Sequence, residues 1–110
     1  MTTCLLQPTV SQGDSKPVGL NIGGLITQVT LNSVTWTALP PTPLDERNAV
    51  AIQNQSAVNI KINYDPAVVG YVGMEVLSPT GERFYNIANP IQLFGKCAAG
   101  TCVVLVEEIA

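Results

Sequence analysis

Two pairs of adjacent carboxylates, Asp45-Glu46 and Glu107-Glu108, are the residues that general acid–base chemistry would use. A glycosidase needs two carboxyl groups facing each other across a sugar, at about 5 Å or about 6.5–9.5 Å. Neighbours on an extended chain point to opposite faces, so neither pair meets that need by itself. Both pairs are expected to be solvated, one in a turn and one at a strand end, because exposed acids are the rule. The sequence holds no histidine. That removes the commonest general base and metal ligand, and with it any Ser-His-Asp or Cys-His pair. Asp65 near Asn63 lacks the dense run of oxygen ligands that calcium takes. Gly23-Gly24 is followed by no Lys-Ser/Thr and no helix, so it is no phosphate loop. The residues therefore predict a protein that is not an enzyme and that takes no metal and no cofactor.

The cysteines allow a second kind of chemistry. Cys97 and Cys102 bracket the stretch CAAGTC, one short loop apart. Taken as a hairpin, that loop sets two sulfurs opposite each other across the strands, a geometry that permits a bridge. The expected state is two free thiols acting as small hydrophobes, as in a reducing cytosol. Three cysteines without histidine cannot fill a four-ligand structural zinc site.

The elements that must carry these residues read as strands. LITQVTLNSVTWTAL follows Gly23-Gly24 with Leu25, Thr27, Val29 and Leu31 on one face and Ile26, Gln28 and Thr30 on the other. LPPTPL is a stiff extended crossover, since each proline removes a donor and holds its predecessor extended. Asp45-Glu46-Arg47 turns the chain. Val50 and Ile52 alternate with Ala49, Ala51 and Gln53, and Asn54-Gln55-Ser56 is a turn. Val58, Ile60, Ile62 and Tyr64 alternate inward against Asn59, Lys61 and Asn63. Met74–Leu77, Arg83–Ile87 and 91–95 read as further strands, separated by Ser78-Pro79-Thr80-Gly81 and Asn89-Pro90. Val103–Val106 reads as a strand buried on both faces. The turn spacing predicts one all-β domain over 23–110, an antiparallel β-sandwich that is jelly-roll-like in the broad sense.

Residues 1–22 read as an extended N-terminal arm, broken by Pro8 and Pro17 and loosened by Gly13 and Gly19. Leu5, Leu6, Val10, Val18, Leu20 and Ile22 make this segment more apolar than a disordered tail. It either lies along a neighbouring subunit or folds back as a first strand. The six apolar residues, with Trp36, are the candidate interface; Trp36 also fits a core lid before its proline turn.

Charged residues make up 12 % of the 110, against a usual share of about 25 %. A surface rich in amides and hydroxyls and poor in charge suits a protein packed against neighbours. The net charge is −3, and Lys16, Arg47, Lys61, Arg83 and Lys96 are scattered singly. With no basic stripe to neutralise phosphates, nucleic acid is not the expected partner. No apolar run approaches the ~20 residues that span a bilayer, so no membrane is expected either. The opening residues lack the basic region of a secretory signal, which predicts a protein made and used without export.

The run WTALPPTPLDERNAVAIQNQS, then AVNIKINYDP, GERFYNI and a closing valine-rich strand ending in VEE, resembles a pattern in small virion proteins of tailed bacteriophages. There a tryptophan precedes an L-P-x-T-P-L segment, a basic residue follows, then an I-Q-N strand and a Gly-Glu turn. The matching positions are Trp36, Leu39, Pro40, Thr42, Pro43, Leu44, Arg47, Ile52, Gln53, Asn54, Gly81 and Glu82. The resemblance covers about 36 to 110. It implies a structural virion protein, first of all a capsid decoration (cement) protein that bridges capsomers. The partners so implied are the major capsid protein or other virion proteins, with a homo-oligomer, a trimer first, assembled in the host cytoplasm. A head-fibre, neck or tail-associated connector is the alternative, and a glycan-binding attachment module the second. The glycan reading needs an aromatic platform, against which stand the 5 % aromatic content and the inward phase of Tyr64 and Phe84.

Overall fold

The computed structural model of the chain describes residues 23–110. Its elements are β1 (Gly24–Asn32), β2 (Thr37–Leu39), β3 (Ala49–Asn54), β4 (Ile60–Asn63), β5 (Met74–Val76), β6 (Glu82–Tyr85), β7 (Leu93–Cys97) and β8 (Thr101–Ile109), with no helix among the described residues. Two four-stranded sheets form, in the orders β1-β8-β3-β6 and β2-β7-β4-β5. Every pairing is antiparallel. The alternating segments of the sequence become strands because one face of each can be buried while the other stays polar.

The inward residues of both sheets meet in one apolar cluster. Val29 and Leu31 of β1, Val50 and Ile52 of β3, and Cys102, Val104 and Val106 of β8 come from the first sheet. Leu39, Ile60, Ile62, Val76, Leu93 and Cys97 come from the second. This is the layered arrangement of a β-sandwich. At Gly95 there is no room for a side chain between the layers: an added Cβ would lie 2.8 Å from Leu39 Cδ1 of its own sheet and 2.9 Å from Leu31 Cδ1 of the facing one. Among the described residues only the β4–β5 connection stays within one sheet; the others cross to the facing sheet.

Several expectations need correction. The first strand does not run on to Trp36. Asn32 ends it, because its Oδ1 accepts from the Val34 and Thr35 amides at 2.8 and 2.7 Å and bends the chain. CAAGTC is not a hairpin: β7 pairs with β2 and β4, β8 with β1 and β3, so the loop arches between sheets. β8 is buried on its inner face alone, since Val103 and Leu105 on its outer face remain half-buried. Tyr64 and Phe84 are 58 % and 59 % exposed, not inward. Tyr64 lies one residue beyond the end of β4. On β6 the register opposite Val50 and Ile52 turns Tyr85 and Arg83 inward instead of Phe84. The six apolar residues placed on residues 1–22 lie outside the described residues.

Candidate functional site

The structure brings chemistry-bearing side chains together in three places. The first is the buried end of the core. Phase along β8 carries Glu108 to the same inner face as Cys102, Val104 and Val106, and the carboxylate is wholly buried. This overturns the expectation of a solvated pair at Glu107-Glu108; Glu107 alone is exposed. Arg47, from the turn after the proline crossover, is 1 % exposed and meets it. Its Nη1 donates to Glu108 Oε2 at 3.0 Å, and the Leu44 amide donates to the same oxygen at 2.8 Å. Arg47 Nη2 donates to the carbonyls of Ala88 and Ile91 at 3.1 and 2.6 Å. Arg47 Nε and Glu108 Oε1 have no partner among the described residues. The turn itself needs Glu46 at a φ of 56°, in the left-handed region. This pair ties the crossover, the last strand and the 88–91 loop into one corner, and no open face lets a substrate reach it.

The second place is the thiol pair. Cys97 and Cys102 are free and buried, one on the inner face of each sheet. They meet across the sandwich instead of across a hairpin. Burial, and then the hydrogen bond and charge of Cys102, push the Cys97 thiol up to about 12. A thiol so raised is neutral near pH 7 and a poor nucleophile. Among the described residues no group of His, Cys, Asp or Glu could hold a metal ion.

The third place is the outer surface. Ile26, Ala51, Gln53, Glu82, Leu105 and Glu107 line a shallow groove across the outer face of the first sheet. Glu82 accepts from Gln53 Nε2 at 2.8 Å. Sequence adjacency could not show that Glu82 and Glu107 share this groove, because the register of β6 and β8 on either side of β3 sets it. Val34, Val69 and Val72 are 77 %, 92 % and 59 % exposed on loops.

Trp36 is 8 % exposed, so it is held inside the chain. Its Nε1 donates to the Val68 carbonyl at 2.9 Å. Lys96 lies 5.4 Å from the ring centroid and donates to the Gly70 carbonyl at 3.2 Å. Asn63 Nδ2 reaches the Val72 carbonyl at 2.7 Å, and Tyr71 Oη the Asn59 carbonyl at 3.1 Å. Trp36 thus acts as a lid that, with Lys96, holds the middle of the 65–73 loop. Buried Lys96 was missed in the sequence; it shares the phase of Phe94, on the face of β7 away from Leu93 and Cys97, and its position needs the loop to be known.

Compared with family models, with curated proteins and with solved structures, the chain matches none.

Proposed function

We propose that the chain is a structural virion protein, first of all a capsid decoration protein that stabilises a phage head by bridging capsomers. The observation that carries this reading is the strand order β1-β8-β3-β6 against β2-β7-β4-β5. It supports an eight-stranded jelly roll, an architecture frequent in viral capsid domains. The charge-poor composition supports a life among neighbours. So does the inward use of Arg47, Lys96 and Glu108, which takes three of the few charged side chains off the surface. No cofactor and no catalytic role are part of the proposal, and its partners are the major capsid protein and further copies of the chain.

Quantitative mass spectrometry of purified particles, with the major capsid protein as standard, tests this. Decoration predicts a copy number that scales with the capsid lattice. A few copies per particle would move the protein to a neck, fibre or tail position. Absence from particles would overturn the virion reading altogether.

A second reading, a glycan-binding module, is favoured by the exposure of Tyr64 and Phe84 and by the occurrence of jelly rolls among lectins. Tyr64 meets Tyr85 edge-on, with ring centroids 6.4 Å apart. Phe84 lies on the opposite face of β6 from Tyr85, so the three rings do not make one platform. A glycan array probed with the purified protein decides it: specific binding supports the module, and no binding removes it.

A further inference from the structure

A sheet edge offers unpaired N–H and C=O groups to any passing strand, and proteins blunt such edges with shortness, charge or proline. Three of the four edges here are blunted. β2 has three residues and runs into Pro40 and Pro41. β5 has three residues with Glu75 at its centre. β6 has four residues and carries Glu82 and Arg83. The fourth edge, β1, is nine residues long, GLITQVTLN, with no charge and no proline. Among the described residues nothing pairs with its free side.

The free groups can be assigned. Gly23 and Ala110 exchange both backbone hydrogen bonds, at 2.8 and 2.9 Å. Hydrogen-bonded pairs alternate along an antiparallel ladder. In the register Gly24↔Ile109 to Asn32↔Thr101, the odd-numbered residues of β1 therefore bond to β8. Gly24, Ile26, Gln28, Thr30 and Asn32 point their N–H and C=O groups outward.

We propose that β1 pairs antiparallel with β1 of a second copy of this chain, about a two-fold axis at Gln28, joining two four-stranded sheets into one. With Gln28 opposite Gln28 of the second copy, Ile26 faces Thr30 and Gly24 faces Asn32, so every outward-pointing backbone group finds a partner. On the inner face the same register sets Leu25, 48 % exposed in the single copy, beside Leu31 of the second. Ile26, 62 % exposed, gains a β-branched neighbour. An isologous contact places each residue near the axis against itself, so a charge there would repel its own image. The absence of charge along β1 is what such a contact requires. Residues 1–22 are the other source of a strand, but Pro8 and Pro17 leave no proline-free run in them as long as the nine residues of β1.

The pairing needs only a second copy and stands apart from the virion reading. Its test uses the purified full-length chain alone, so its failure leaves the particle copy number untouched. Sedimentation velocity is measured for the natural chain, for Gln28→Lys, for Gln28→Glu and for an equimolar mixture of the two variants. The side chain of Gln28 is exposed, so both variants keep the core. The natural chain is expected to self-associate, and each variant alone to associate roughly tenfold more weakly or less well still. The mixture is expected to regain association, because opposite charges then meet at the axis. A natural chain that stays monomeric at high micromolar concentration overturns the proposal. So does association that neither variant weakens, which places the contact elsewhere. Weakening without recovery in the mixture also overturns it, and assigns the edge to another segment such as residues 1–22.

Discussion

At its start β8 turns Cys102 to the core, and near its end it turns Glu108 to the same face. At the Cys102 end the group is a small thiol, and it lies against Cys97 among apolar neighbours. At the Glu108 end a carboxylate is equally buried, and the chain supplies Arg47 and the Leu44 amide from the proline crossover to receive it. Alternation along one strand chose both positions. The difference is in the surroundings: a thiol tolerates a dry site, whereas an acid must have a cation and donors brought to it. The crossover WTALPPTPLDER is therefore more than a link, because its stiff path delivers Arg47 to the inner face.

The contrast can be broken most sharply at Arg47. Arg47→Met leaves Glu108 buried without its cation and is expected to cost about 3–5 kcal/mol, read as a lower denaturant midpoint. Adding Glu108→Leu to that variant should return most of the loss, since apolar replacements of buried pairs are often neutral or stabilising. A double variant no better than the single would mean that the corner is held by the Ala88 and Ile91 contacts and not by the pair.

The thiol end is sharpened by pH. Cys97 has its folded value raised to about 12 from the ordinary 9.0, so the unfolded thiol loses its proton first. Above about pH 9 the unfolded chain binds fewer protons than the folded one, and stability falls as pH rises. The Cys97 contribution is complete below pH 9 and is lost progressively toward pH 12. Stabilities from urea titrations of the natural chain and of Cys97→Ala should therefore converge across that window, the natural chain falling the more steeply. The smallest effect is expected for Cys102→Ala, about 1 kcal/mol by thermal denaturation, because little volume and no charge are removed.

Much of this fold is legible in the sequence. Val50 and Ile52, or Ile60 and Ile62, alternate cleanly and sit inside. Glu108 was legible too: it continues the phase of Val104 and Val106, and only the general exposure of acids argued otherwise. Partner sheets were not legible, because alternation names a face and not a neighbour. That is why CAAGTC reads as a hairpin and arches between sheets instead. Arg83 and Tyr85 were hidden for a related reason. Arg83 Nε donates to Tyr85 Oη at 3.0 Å, and the two fill an edge position as a pair, which no count of apolar residues along β6 would find. The outer groove and the free side of β1 also depend on strand order, which no local pattern carries.

The connections that cross between the sheets bear on how the chain reaches this state. Among the described residues, of the strands that follow one another in sequence only β4 and β5 pair, so theirs is the hairpin that can close early. Each remaining ladder waits for distant segments to meet, β1 with β8 most of all. Chains dominated by such non-local pairing fold in about milliseconds to seconds, slower than helical bundles of similar length. Until β8 arrives, the apolar faces of β1 and β3 lack the strand that lies between them. The sandwich is thus completed only when β8 takes its place between them.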